Sequence, residues 1–223
     1  MNLLMVFARA PERGAVKTRL ARALGEDQTL RLYEAFVRDC AALVSGLDVP
    51  VWWWAAGDPA VLAGVLPAGA DVRKQVGDGL GARLEHAFRA AASAGFERTL
   101  VIGTDSPGMP RHLISEAFDA LDSHRAVLGP AEDGGYYLLG LRGTSPEFLS
   151  KVTYSRSDVL EKTRALLTDA GTSVGLLPPW FDVDEPADLQ RVVDVFQRSP
   201  ERAPATVQTL RALGLMPAED ASC

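Results

Sequence analysis

Short apolar runs bounded by glycine, proline or charge recur along the chain, and between them apolar residues fall at helical spacing. Leu3 to Ala8 and Val51 to Ala56 are apolar throughout, and Thr99-Leu100-Val101-Ile102 leads into Gly103. Runs of this length without alternation predict strands buried on both faces. Asp71 to Gln75 predicts a weaker strand, and Ala126 to Leu128, Tyr136 to Leu141 and Val174 to Leu177 predict three more. After Pro178-Pro179, the segment Phe181 to Asp184 resumes an extended path.

Helices occupy the intervals. Tyr33, Phe36, Val37, Cys40, Ala41 and Val44 share one face of a helix over Thr29 to Ser45. Leu80, Leu84, Ala87, Phe88 and Ala91 do the same before Gly95, as do Leu113, Ile114, Ala117, Phe118 and Leu121. Asp58-Pro59 reads as a cap and first turn, and Ser155-Arg156-Ser157-Asp158 as a capping box opening a helix to about Ala170. Pro186 to Arg198 is helical, and a short helix around Thr206 to Leu213 precedes a loose end.

Alternation of strand and helix predicts an α/β fold, a mainly parallel sheet covered on both faces. Two strands joined without a helix across Asp133-Gly134-Gly135 add an antiparallel element. No repeat or linker divides the chain, so one domain is expected over residues 1–198, with a C-terminal tail over 199–223 carrying one short helix.

Composition narrows the function classes. At 223 residues with 47% hydrophobic and 23% charged residues, the chain can bury a sizeable core. A net charge of -6 and no Lys/Arg run argue against a nucleic-acid binder working by general basicity. No apolar run approaches the roughly 18 residues of a membrane span. The start lacks a basic leader region and reads as a first strand. Cys40 falls on a helix face and Cys223 is the last residue, which suggests no disulfide framework or zinc site and a cytoplasmic location. His86, His112 and His124 form no triad pattern, and Trp52 to Trp54 suit a buried strand better than a stacking platform.

Four constellations carry candidate chemistry. Asp105 follows an apolar strand, where open α/β sheets bind ligands, and a carboxylate there can hold a divalent cation against phosphate oxygens. The plainer alternative is an Asx-turn before Ser106-Pro107. The loop from Arg9 to Arg19 has four basic residues in eleven. Gly14 permits close backbone approach, while Lys17 and Arg19 suit phosphate as a point charge and a fork. Basic residues at a helix start oppose its dipole, a local misfit that favours function. Gln75 to Arg83 contains three glycines in five residues (Gly77, Gly79, Gly81) at a strand-to-helix junction, which lets backbone N–H groups face a ligand. Asp133-Gly134-Gly135-Tyr136 is a hairpin signal whose aspartate could also orient an acceptor. Asp182 and Asp184, spaced i, i+2 on an extended path, share one face and need a cation or proton between them. Alternatively Asp184 or Glu185 caps the helix at Pro186, helped by Asp188.

In order, Arg9-x-Pro11-x-x-Gly14-x-Val16-Lys17-Thr18-Arg19-Leu20, Gln75 to Arg83, Gly103-Thr104-Asp105-x-Pro107, Gly129-Pro130-Ala131-x-Asp133-Gly134-Gly135-Tyr136-Tyr137 and Asp182-Val183-Asp184-x-Pro186-x-Asp188-Leu189 span roughly residues 3 to 195. Together they resemble the bacterial family labelled arsenosugar-biosynthesis-type glycosyltransferase. That family lies within the nucleotide-diphospho-sugar transferase (GT-A) superfamily and is similar to the CofC-type guanylyltransferases. The resemblance implies a GT-A fold, a Rossmann-like sheet with nucleotide on its N-terminal half and Mg²⁺ or Mn²⁺ held by acidic residues. It implies Asp105, Asp184 and Asp182 as metal ligands, although Asp105 is followed by Ser-Pro rather than Asp-x-Asp. Nucleotide would contact Arg9, Gly14, Lys17, Thr18, Arg19, Gln75, Gly77, Asp78, Gly81 and Arg83. Acceptor would contact Asp133, Gly134, Gly135 and Tyr136, and Asp105, Asp133 and Lys17 would be catalytic.

The expected partners are a nucleotide sugar or NTP and a small-molecule acceptor, without nucleic acid or membrane, and a homodimer stays open. The family label favours a glycosyltransferase. The basic loop favours a nucleotidyltransferase that joins an NTP to a phosphorylated acceptor and releases pyrophosphate. A non-catalytic nucleotide-binding protein is the third alternative.

Overall fold

The apolar runs join into one seven-stranded sheet in the order β3-β2-β1-β4-β6-β5-β7. Its strands are Asn2–Arg9 (β1), Val51–Ala56 (β2), Asp71–Lys74 (β3), Arg98–Gly103 (β4), Ala126–Pro130 (β5), Tyr136–Arg142 (β6) and Val174–Leu176 (β7). Neighbours pair in parallel except β6, which is antiparallel to both β4 and β5. The fold is therefore the mixed α/β architecture expected, with its single reversed strand where Asp133-Gly134-Gly135 replaces a crossover helix. The computed structural model describes residues 1–154 and 156–217; Ser155 and Cys223, which the sequence reading used, lie outside the described residues.

Helices cover both faces. They are Thr18–Leu24 (α1), Glu26–Ser45 (α2), Pro59–Ala63 (α3), Gly79–Ser93 (α4), His112–Ser123 (α5), Val159–Asp169 (α6), Pro186–Arg198 (α7) and Pro204–Ala212 (α8). One core cluster packs Leu4, Val6, Trp53 and Leu100 against Leu20, Phe36, Leu62, Ile114, Val192 and Leu210. The other packs Leu3, Met5, Trp52 and Trp54 against Leu84, Phe88, Leu149 and Leu167. Successive tryptophans of β2 thus serve opposite faces, as strand alternation requires. At roughly 1.5–3 kcal/mol for each large apolar side chain, these two layers dominate folding.

Several boundaries differ from the sequence reading. The basic loop does open a helix, α1, whose extent apolar spacing does not outline: it is short, buries only Leu20 and has no acidic residue in its first turn. Gly25, at φ 79°, separates it from α2, which begins at Glu26 rather than Thr29. A 3₁₀ turn over Pro146–Lys151 was also not anticipated. The helix predicted from Ser155 starts at Val159, with Asp158 at its N-cap.

The short helix expected near the C-terminus is α8, and it packs on α2. The buried Asp39 carboxylate of α2 accepts the Ala205 and Thr206 N–H groups, each at 2.8 Å, and so caps α8. Ala203, Val207, Leu210 and Met216 lie in the same core cluster as α2. Among the described residues, no helix is long and apolar enough to cross a membrane.

Candidate functional site

The parallel strands end on one rim, and the reversed β6 begins there. Loops following β1, β3 and β4, the turn preceding β6 and the segment beyond β7 meet around a cleft of about 1150 Å³.

A main-chain bond sets the acidic side of the cleft. Val183 N–H donates to the Asp105 carbonyl at 2.8 Å, drawing the segment after β7 against the loop after β4. Val183 is fully buried, so alternation along this extended path turns Asp182 and Asp184 toward the cleft. Asp188 Oδ2 accepts the N–H groups of Asp184 (2.9 Å) and Glu185 (2.7 Å) at the start of α7. Helix capping therefore falls to Glu185 at the N-cap and Asp188, which form a reciprocal capping box, and the Asp184 carboxylate is left for other work.

That work is done with Lys17. Its Nζ lies 2.6 Å from Oδ1 of Asp105 and 2.6 Å from Oδ1 of Asp184. The lysine side chain is 6% exposed, while the two carboxylates are 47% and 45% exposed. Burial pulls the ammonium pKa down, but the two carboxylates outweigh it and push it up to about 12. Lys17 adopts φ 44° and ψ 47°, the left-handed region, and among the described residues it alone does so without being glycine. Such a conformation costs roughly 1–2 kcal/mol for an L-residue and persists where surrounding structure enforces it.

Two side chains that sequence reasoning did not single out hold this arrangement. Tyr33 of α2 accepts the Arg9 N–H at 2.8 Å, and its hydroxyl lies 3.1 Å from the Arg9 carbonyl and 3.2 Å from Thr104 Oγ1. It thereby ties the end of β1 to the end of β4. Ser106 donates its hydroxyl to Asp182 Oδ1. Burial raises the Asp182 pKa to about 6, with the Ser106 hydrogen bond opposing the rise and the nearby Asp105 charge adding to it. Nothing in local sequence marks Tyr33, which sits at an apolar position of its helix; Ser106 is marked only by its place beside Asp105.

At the opposite wall, Asp133 Oδ1 accepts the Gly135 N–H at 2.8 Å, closing an Asx-turn within the expected hairpin connection, and the second carboxylate oxygen remains available. Gly134, at φ 89°, presses on the loop before α6, where an added Cβ would stand 1.9 Å from the Ser157 carbonyl oxygen. The Tyr136 and Tyr154 hydroxyls are 3.1 Å apart. Burial raises the pKa of both phenols.

The strand-to-helix junction forms the third wall. Gln75 donates its backbone N–H to Ala55 O and its Nε2 to Trp54 O, both at 2.9 Å. Gly81 lets α4 approach the 3₁₀ turn so closely that a Cβ would lie 2.2 Å from the Leu149 carbonyl oxygen. Arg83 Nε donates to Gly77 O at 3.1 Å, and among the described residues neither Arg83 nor Arg9 is ion-paired.

Of the sequence-predicted residues, Arg9, Lys17, Thr18, Arg19, Gln75, Asp78, Gly81, Arg83, Asp105, Asp133, Gly135, Tyr136, Asp182 and Asp184 all line the cleft. Gly14, Gly77 and Gly134 do not; each has positive φ and shapes a turn behind it. Arg19 stands on the rim, paired with Glu185 at 3.1 Å. None of the three histidines lines the cleft, and His86 packs its ring 5.8 Å from Trp54.

Among the described residues, no group of three or more His, Cys, Asp or Glu is placed to hold a metal by protein ligands alone. Mg²⁺ usually binds one or two carboxylates together with substrate phosphates. Asp105 and Asp184 fit that requirement, because their Oδ1 atoms already share one cation, the Lys17 ammonium. Asp182 faces Ser106 instead.

Residues 36–156 match the family described as "Uncharacterized protein conserved in bacteria (DUF2064)". Among solved structures, the chain is similar to a candidate nucleotide-diphospho-sugar transferase from Desulfovibrio desulfuricans G20. That pair shares 31% identity over 97% of this chain and 99% of the other, with a TM-score of 0.90. It is also similar to CMP:2-keto-3-deoxy-manno-octonic acid synthetase complexed with CTP, at 13% identity, 88% and 98% coverage and TM-score 0.57. A third likeness is to Rv0371C in complex with manganese from Mycobacterium tuberculosis H37Rv, at 18% identity, 87% and 99% coverage and TM-score 0.55. The last two establish fold alone. No curated protein matches the chain.

Proposed function

The chain belongs to this bacterial family, DUF2064, and on that premise we propose that it is a divalent-metal-dependent glycosyltransferase using a nucleotide-sugar donor and a small acceptor. The observation that carries the reading is the pair Asp105 and Asp184, brought together at the carboxyl end of the sheet and sharing one cation. The full-length likeness to a candidate nucleotide-diphospho-sugar transferase supports it. The narrower arsenosugar label rests on the sequence motifs alone.

Each wall of the cleft has a task in this reaction. Arg9 and Arg83, without carboxylate partners among the described residues, suit the donor's phosphate oxygens as guanidinium forks. Asp105 and Asp184 would hold Mg²⁺ or Mn²⁺, which supplies neutralising charge to the departing diphosphate. Asp133 keeps its second oxygen for the acceptor hydroxyl and would take that hydroxyl's proton as the acceptor oxygen bonds to the anomeric carbon and the sugar–phosphate bond breaks, the nucleoside diphosphate leaving. Tyr136 and the 133–135 turn fix the acceptor's approach.

A second reading, nucleotidyl transfer from an NTP to a phosphorylated acceptor, is favoured by the Arg9 and Arg83 guanidinium groups, which have no carboxylate partner among the described residues, since a triphosphate carries more charge than a diphosphate. Product analysis separates the two. Incubation with a panel of nucleotide sugars and Mn²⁺ is expected to release free nucleoside diphosphate. Release of pyrophosphate from an NTP instead would replace the first reading by the second. An Asp105→Asn variant that kept metal-dependent nucleotide binding, scored by thermal shift, would overturn both enzyme readings.

A further inference from the structure

We propose that Lys17 is a placeholder cation: its ammonium occupies the position of the divalent ion between Asp105 and Asp184, and nucleotide phosphate draws it away as the ion enters. Metal and nucleotide then bind well only together. The inference rests on the metal-dependent reading of the site given above and adds an order to it.

Geometry makes the two cations mutually exclusive. The ammonium is 2.6 Å from one oxygen of each carboxylate. A magnesium ion taking the ammonium's place between the two carboxylates would draw those oxygens to about 2.0–2.1 Å. Both cannot fit in that space, and their charges repel at such separations. Displacing the lysine without a new partner would strand an ammonium that now makes two short ion pairs in a buried position. A phosphate group in the cleft supplies that partner.

The lysine is also built to move. It is a point charge on a flexible four-carbon stem, unlike a guanidinium fork. It sits at the N-cap of α1 in a left-handed conformation, so leaving its present position can release backbone strain. Arg19, the neighbouring basic residue, is held on the rim by Glu185 and does not compete for the carboxylates. Linkage makes the effect reciprocal: nucleotide tightens metal binding by the factor by which metal tightens nucleotide binding.

The test measures Mn²⁺ binding by electron paramagnetic resonance of the free ion, alone and with ADP, CDP, GDP or UDP. Wild type is expected to bind Mn²⁺ weakly alone and at least tenfold more tightly with a diphosphate that fits. Lys17→Met is expected to bind Mn²⁺ alone at least tenfold more tightly than wild type and to gain little from the diphosphate. If the diphosphate tightens binding to wild type while Lys17→Met alone binds no better, the placeholder is overturned and the metal-dependent reading stands. If neither protein binds Mn²⁺ under any condition, both fall. A measurement on wild type avoids any folding defect of the variant. Reductive methylation read by mass spectrometry should leave Lys17 protected without metal and modified at saturating Mn²⁺ alone, against exposed Lys74, Lys151 and Lys162 as references. Continued protection of Lys17 at saturating Mn²⁺ would also overturn the proposal.

Discussion

The Tyr33 hydroxyl bonds the Arg9 backbone and approaches Thr104, so one phenolic oxygen registers the basic loop against the strand that carries Asp105. Tyr33→Phe leaves the Arg9 N–H without its acceptor while preserving the ring's packing. The expected cost is about 1–3 kcal/mol, read as a lower urea midpoint. Turnover should fall further than that loss accounts for, assayed well below the melting temperature. The sequence pattern places Tyr33 correctly on the buried face of α2 but says nothing of its oxygen, because periodicity registers only the apolar ring. Lys17 has the same history. Its loop marks it as a charge for phosphate, yet its two partners lie far along the chain, where no local spacing can point to them. By contrast Asp105, Asp182 and Asp184 were legible, because strand ends and i, i+2 alternation are local signals.

Secondary elements were read best where burial imposes a period. The boundaries of β2 and α7 coincide with the expected Val51 to Ala56 and Pro186 to Arg198, since an uninterrupted apolar run and a proline start are strong local marks. The reversal of β6 was legible from Asp133-Gly134-Gly135. Of α1 only the basic start was legible and not its extent, because one buried leucine sets no helical period. Gly81 and Gly79 show how context reverses a propensity. Replacing a helical glycine by alanine ordinarily stabilises by about 1 kcal/mol. Gly81→Ala should instead destabilise by about 1–3 kcal/mol, because its Cβ would meet the Leu149 carbonyl at 2.2 Å and push α4 off the 3₁₀ turn. Gly79→Ala meets no atom within 4 Å, so its φ of 82° is the only penalty, about 1 kcal/mol. Thermal melts of the two variants should rank them in that order.

Across the whole molecule, α8 closes the core on the α2 side. Asp39→Ala strips two helix N–H groups of their acceptor and should cost about 2 kcal/mol in chemical unfolding. Burial holds the Asp39 pKa above its ordinary value, with hydrogen bonds from Thr206 and Ala205 opposing. The native state therefore keeps this proton better than the unfolded chain does. Its contribution to stability is full below the unfolded value near 3.9 and is lost as pH rises through the raised one. Wild type should accordingly lose more stability than Asp39→Asn across that rise. Ending the chain before Ala203 removes Val207, Leu210 and Met216 together and uncovers the α2 face they cover, roughly 5–9 kcal/mol of burial against a typical total of about 5–15, and the product should not fold. The cation shared by the site has a consequence for birth as well as for chemistry. Lys17 and Asp184 are 167 positions apart. Synthesis delivers the lysine early and its second carboxylate near the end. Contacts of such separation form late, after the costly closure of a long loop. On the function proposed above, ligand binding is withheld from a nascent or half-folded chain, and its appearance on refolding is expected to mark the moment β7 and α7 have docked.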